Sequence, residues 1–311
     1  MDFFGFLESL GFNTTRLRWR VYRWQNAREA RREEAVARSR AAPLRALPCD
    51  ACGALVDASV RRCPYCSARL GSPGARLLKR RLALVLPSWH PVGSVLLAAN
   101  GLGLLAGLAA FGPAFLRHPS PEALFRLGAL IPHAVDLGQW WRVLTYGYLH
   151  IGLVHFGFNM MALTQVAPFL EREVGSRRIL TVYTLALLGA AGADLLLRAG
   201  SMTVIAGASG GLFGLIGFGT SYAHFYGGPL GRAQRDFFLR WAAYGFVFGL
   251  ATGADNIAHG GGFVSGALLG WAVERERRLG NRLNPLWTLA AVLCALATLA
   301  AFAAMIRANV S

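Results

Sequence analysis

Gly207-Ala208-Ser209-Gly210-Gly211-Leu212-Phe213-Gly214 opens an apolar run that continues to about residue 224. About 20 apolar residues suffice to cross a bilayer. A serine inside such a run is costly unless it is bonded, so it is a candidate functional residue. A lone span serine ordinarily bonds a carbonyl one turn back. Both readings stand on this stretch alone. Gly210 and Gly214 add a second signal, because small residues four apart let helices approach backbone to backbone.

A matching stripe lies further along. Ala258-His259 is followed by Gly262, Gly266 and Gly270, with His259 on the stripe's own face. Packing the two stripes together would bring Ser209 and His259 to one depth. Serine within reach of histidine is the minimal activated nucleophile. The imidazole takes the hydroxyl proton and later returns it to the leaving amine. A third run carries His155 and Asn159, four apart and so on one helix face, with His150 near its outer mouth. That pair could equally be an interhelical hydrogen-bond clamp or part of an ion path.

The rest of the chain agrees with a membrane protein. It has 311 residues, 54% hydrophobic and only 15% charged, with a mean hydropathy of +0.40. A soluble domain carries about 25% charged residues, so a soluble enzyme and a disordered chain are both disfavoured. Seven apolar runs are expected to span, at about 93–116, 149–169, 179–197, 206–224, 237–254, 257–274 and 286–307. The net charge of +16 is segregated from them, with 17 of the 32 basic residues before residue 91. With the N-terminus inside, 27 basic residues fall on the inner side and five on the outer, namely Arg117, Arg126, Arg142, Arg198 and Arg307. The excess of Lys and Arg on the cytoplasmic side places the N-terminus in the cytoplasm and the C-terminus outside. Asp194 is the one acid near a span in this reading, which argues against a transporter with acidic ion sites.

Ahead of the spans stand three segments. Residues 1–46 are Arg-rich, with Arg16, Arg18, Arg20 and Arg23 among Leu17, Trp19, Val21, Tyr22 and Trp24. This reads either as an amphipathic helix on the membrane surface or as a solvated tail. It does not read as a signal peptide. Residues 47–70 hold Cys49-x2-Cys52 and Cys63-x2-Cys66. Four thiolates in two such knuckles suit one tetrahedral Zn²⁺, with two disulfides as the alternative. The site would be structural, since four cysteines leave no open position. Cys294 reads as a small buried side chain. Residues 71–92 read as a linker, and 93–307 as the membrane domain. The ribbon could bind nucleic acid or a cytosolic protein. Tyr65 is its one aromatic, so a protein partner is favoured over nucleic acid.

Taken together, the motifs resemble the rhomboid intramembrane serine proteases. The resemblance rests on Trp141-Arg142, His150-x4-His155-x3-Asn159, Gly207-Ala208-Ser209-Gly210 and Ala258-His259-x2-Gly262-x3-Gly266. It implies an all-α membrane protein, with a six-helix rhomboid core and a seventh C-terminal transmembrane helix. It implies Ser209 as nucleophile and His259 as base, with no carboxylate and no catalytic cofactor. His155, Asn159 and the Ser209 N–H would form the oxyanion hole, supported by His150 and Gly207. Trp141 and Arg142 would belong to a loop half-submerged in the outer leaflet, along with the apolar run 131–140. Glu171 would be a structural acid at the inner end of the second span. Phe213 would stack on His259, where Tyr is common in the family. The implied substrates are single-span or other transmembrane proteins, and the implied location a bacterial inner membrane. A catalytically silent rhomboid-like binding protein is the alternative; such proteins typically lose the serine or histidine, and both are present here.

Overall fold

The computed structural model describes residues 14–15, 19–20, 22–30, 46–49, 55–57, 59–65, 69–72, 74–75, 91–279 and 283–310. The chain divides into two compact units, Met1–Leu86 and Pro87–Ser311.

In the first unit, residues 22–30 are helical and exposed, with the Arg28 guanidinium 5.3 Å from the centre of the Trp24 ring. Arg16, Leu17, Arg18 and Val21 lie outside the described residues. Strand β1 (Ala46–Pro48) pairs antiparallel with β2 (Leu55–Asp57), and Arg62 bridges Arg69. Cys49 follows β1 and Cys63 follows the second bridge. Both are 2% exposed, in one small cluster with Val56 and Leu70. Their proposed co-ligands, Cys52 and Cys66, lie outside the described residues.

The second unit is helical. Its long helices are α1 (Pro91–Phe111), α5 (Gly152–Val174), α6 (Ser176–Leu197), α7 (Ser209–Tyr226), α8 (Gly228–Thr252), α9 (Asn256–Arg278) and α10 (Asn284–Val310). Between α1 and α5 lie three short ones: α2 (Pro121–Arg126), α3 (Pro132–Asp136) and α4 (Arg142–Thr145). Each of the seven apolar runs holds one long helix. By length and composition four can cross a membrane: Pro91–Phe111, Gly152–Val174, Ser176–Leu197 and Pro285–Asn309.

Helix ends differ from the apolar runs where backbone chemistry intervenes. The first run was expected to reach 116, but α1 stops at Phe111. Gly112 adopts φ 75° and Pro113 supplies no N–H to continue the ladder. At the other extreme α9 runs past its apolar stretch to Arg278 and buries two acids, Glu274 at the end of that stretch and Glu276 beyond it. Glu274 is 1% exposed and pairs with Arg277 and Arg278. Glu276 accepts from Arg178, the Leu283 N–H and Trp287 Nε1, which seats α10 on the core. Glu171 takes the structural role expected of it. Its carboxylate accepts the N–H groups of Val92 and Gly93, first-turn donors that α1 itself cannot satisfy.

The glycine stripes do interlock. A Cβ on Gly262 would lie 2.1 Å from the Gly210 carbonyl oxygen, one on Gly266 1.8 Å from that of Gly214, and one on Gly270 2.3 Å from that of Phe218. Backbone therefore meets backbone along the whole α7–α9 seam, and this contact sets the depth of Ser209 against His259. Gly266→Ala is expected to force the helices apart. Overpacking of this kind costs about 1–3 kcal/mol, read as a lower unfolding temperature in detergent; an unchanged temperature would show the seam to be slack.

The connection from α1 to α5 is built around Arg142, 3% exposed. Its Nε donates to Gln139 Oε1 at 2.7 Å, and its Nη1 donates to the carbonyls of Phe125 and Ala129 at 2.9 and 2.7 Å. Burial pushes the guanidinium pKa down to about 10, still fully charged at neutral pH. The charge is thus consumed in holding the loop's shape. Leu137 and Trp140 stay exposed on that loop, while Leu130 and Ile131 turn inward.

Candidate active site

Ser209 is placed by the chain just before it. Ile205 and Leu130 exchange both backbone hydrogen bonds at 2.9 Å, and the Gly207 N–H donates to the Tyr146 carbonyl at 3.0 Å. Gly207 adopts φ 153°, and a Cβ there would lie 2.8 Å from His155 Cε1, 3.2 Å from His155 Nε2 and 3.5 Å from Ser209 Oγ. Only glycine leaves that small space open, with the imidazole and the hydroxyl on its borders. Ser209 is the first residue of α7, and no side chain caps this helix. Its backbone N–H is therefore one of the donors that a helix start leaves without an internal partner.

His259 is held on two sides. Its ring stacks on Phe213 with centroids 4.1 Å apart and planes within 9°. Its Nδ1 lies 2.9 Å from Asn256 Oδ1. An amide oxygen accepts, so Nδ1 carries the proton and Nε2 is left with its lone pair. Nε2 is buried and makes no hydrogen bond. The bond from Ser209 Oγ to His259 is thus open in this conformation, although both side chains line one cavity. The expected stacking of Phe213 is present. Asn256 has no role in the sequence reading above. Its three-residue separation from His259 at the start of a helical run was the available signal.

His155 has the opposite tautomer. The Ile151 N–H donates to His155 Nδ1 at 3.3 Å, so in the neutral ring Nε2 bears the proton and points a donor at the space over Gly207. Asn159 shares its face, as expected from the spacing. Its Nδ2 donates to the His155 carbonyl at 3.0 Å, and an amide nitrogen has a second hydrogen to offer. His150 is fully buried, with its ring 5.4 Å from that of His155. It supports His155 through packing, since neither ring nitrogen has a hydrogen-bond partner.

Two cavities meet at Ser209. One of about 830 Å³ is apolar, running between α5, α7 and α8, with Phe158, Phe213, Trp241 and Tyr244 in its wall. Where its edges approach, the Phe158 and Phe248 rings stand 4.4 Å apart. The other, of about 360 Å³, is more polar and reaches from His155 and Ser209 to Arg198 and Asp255. A greasy trough and a polar opening therefore share one serine. Among the described residues no group of three or more His, Cys, Asp or Glu side chains could hold a metal ion.

These features define a helical membrane unit with a serine and two histidines lining one cavity. A family model, the Rhomboid domain, matches residues 137–276. Over 150 residues the chain is 31% identical to the rhomboid-family protein YdcA of Bacillus subtilis, covering 45% of this chain and 72% of that one. It is 33% identical to the rhomboid protease GluP of the same bacterium over 173 residues, 52% of this chain and 32% of GluP. It is 32% identical to RHOMBOID-like protein 5 of Arabidopsis thaliana over 183 residues, 54% of either chain. The chain belongs to the rhomboid family and is an integral membrane protein. It spans about half or less of the length of GluP and of the Arabidopsis protein. The residues matched by the family model contain Ser209, His259, His155, Asn159 and His150, and exclude the cysteine-bearing unit and α10.

Proposed function

We propose that this protein is an intramembrane serine endopeptidase, cutting transmembrane segments of other membrane proteins with Ser209 and His259. The observation that carries the reading is the His259 ring, held by Asn256 and Phe213 with its buried Nε2 unpartnered, in a residue that lines one cavity with Ser209. Relatives named as proteases support the same reading at family level.

The chemistry follows from those atoms. Ser209 Oγ attacks the scissile carbonyl carbon as its proton passes to His259 Nε2. The carbonyl oxygen becomes an oxyanion, stabilised by the Ser209 N–H, His155 Nε2–H and Asn159 Nδ2–H. The intermediate collapses to an acyl-enzyme, and His259 returns the proton to the leaving amine. Water reaching the serine through the polar cavity then gives a proton to His259 and attacks the ester carbonyl, and His259 returns that proton to Ser209 Oγ as the ester bond breaks and the acid leaves. The Oγ-to-Nε2 hydrogen bond, open here, closes on binding, as such bonds often do in catalytic sites. The apolar trough receives the substrate helix. Segments that unwind easily, rich in Gly, are the favoured substrates, because Gly weakens a helix by about 1 kcal/mol relative to Ala. The test is to incubate detergent-purified protein with a single-span substrate, with and without a fluorophosphonate. Cleavage blocked by the reagent is expected; cleavage indifferent to it would remove serine chemistry.

The cysteine unit is proposed to be a zinc ribbon, with Cys49, Cys52, Cys63 and Cys66 as ligands and a docking role toward a cytosolic protein. Its support is the burial of Cys49 and Cys63 in one cluster, each just after a short strand pairing. With so small a core, metal would supply most of the folding free energy. Elemental analysis of protein made without chelator is expected to find about one zinc per chain; none would refute the ribbon. The N-terminus is proposed to face the cytoplasm of a bacterial cell, where thiols stay reduced.

A further inference from the structure

We infer that Arg198 is a positioning residue for His259, tying the first turn of α9 to the end of α6. The inference rests on the reading of His259 as the base. Arg198 is the residue just past α6, and its N–H donates to the Asp194 carbonyl at 2.8 Å. Its Nη1 donates to Asp194 Oδ1 at 2.9 Å and also to Asp255 Oδ2. One guanidinium arm thus joins two carboxylates on different helices. Asp194 is fully buried and its other oxygen makes no hydrogen bond.

Asp255 is where this tie reaches the site. It is the N-cap of α9, and its Oδ1 accepts the N–H groups of Ile257 and Ala258 at 3.0 and 3.2 Å. Its backbone carbonyl accepts the His259 N–H at 3.1 Å. The next residue, Asn256, orients the His259 ring. Cap, orienting amide and imidazole therefore lie within five residues, and among the described residues the charged tether from another helix to that turn is Arg198. Gly253 ends α8 in the left-handed conformation, and Ala254 alone separates it from the cap. Arg198 and Asp255 also line the polar cavity that ends at Ser209.

A positional role explains a costly arrangement. Burying a carboxylate carries a desolvation penalty that its ion pair often fails to offset, so an apolar replacement would serve stability as well or better. Two acids sharing one arginine make sense where the geometry of the joined elements matters. A misplacement of about 1 Å at reacting groups can cost about 10²-fold in rate.

The test uses the full chain in detergent with three variants. Arg198→Gln removes the tie. Asp255→Asn also removes it but keeps the cap, since Asn caps a helix as well as Asp, and it carries the test if Arg198→Gln does not fold. Arg198→Lys restores the charge. Fluorophosphonate labelling of Ser209 is expected to slow about 10- to 100-fold in the first two, with KM for a single-span substrate little changed, and to recover largely in the third. Amide exchange over residues 255–260 is expected to rise in the first two and to stay unchanged over α7. Unchanged exchange in both variants overturns the proposal, as does labelling lost only in proportion to thermal stability. A wild-type chain that takes no label would instead sink the role of Ser209, and the exchange measurement would still decide the role of Arg198.

Discussion

Ser209→Ala and His259→Ala are each expected to abolish cleavage, and Ser209→Ala to abolish fluorophosphonate labelling. Removing the nucleophile or the base of a serine protease lowers kcat by roughly 10⁶-fold, far beyond any packing effect at these positions. The two variants should differ in stability. Ser209 stands at the first position of α7, so losing its hydroxyl leaves the helix intact. His259 is 4% exposed and stacked on Phe213, so its truncation also forfeits a ring contact. Ring pairs contribute about 0.5–1.5 kcal/mol beyond their buried area. His259→Ala should therefore melt lower than Ser209→Ala while both are inactive. Wild-type turnover by Ser209→Ala would end the protease reading.

The second large effect is expected at His155 and Asn159. A donor aimed at the developing oxyanion stabilises the transition state more than the bound substrate. Losing one lowers the rate roughly 10²–10³-fold while affinity changes little. His155 has the stronger geometric case, because the Ile151 N–H fixes its tautomer and its Nε2 borders the space beside Ser209 Oγ. Asn159 spends one amide hydrogen on the His155 carbonyl one turn back in the same helix, so Asn159→Ala removes the second, free hydrogen while the helix keeps its packing. Both variants should slow turnover strongly at near-normal melting temperature and KM. A purely structural clamp predicts the reverse, with a depressed melting temperature and normal turnover of the folded fraction. Measuring both quantities on each variant separates the two.

Much of the site was legible before any coordinates because membrane helices obey strong local constraints. A polar residue in an apolar run has to justify its cost, which singled out Ser209, His155, Asn159 and His259. Four-residue glycine spacing identifies a seam whatever the partner, so Gly210 and Gly214 could be matched to Gly262, Gly266 and Gly270. The seam then fixed the relative depth of serine and histidine. Phe213 came only through the family resemblance, and its ring does stack on that of His259.

The residues that the sequence underrated are those whose role depends on several elements at once. Arg142 was assigned to a loop in the outer leaflet, and nothing local says that its guanidinium would be buried against two carbonyls of the preceding segment. Asp194 counted only as an acid near a span. Its meaning is given by Arg198 and by Asp255, brought together from a distant part of the chain. Glu274 closes the apolar run and Glu276 lies just past it, because hydropathy ends where ion pairs begin and the helix does not.

The sequence by itself determined that the chain is apolar and helical, where the helices run, which two of them touch backbone to backbone, and which polar side chains share that depth. Those properties follow from composition and period, and each is set within one helix. The tertiary structure alone decided what each histidine's second nitrogen meets. Whether a histidine offers a lone pair or a proton depends on what bonds its other nitrogen. That partner is Asn256 Oδ1 for His259 and the Ile151 N–H for His155. Those contacts form only when a helix start and a loop take one geometry, and period carries no record of it.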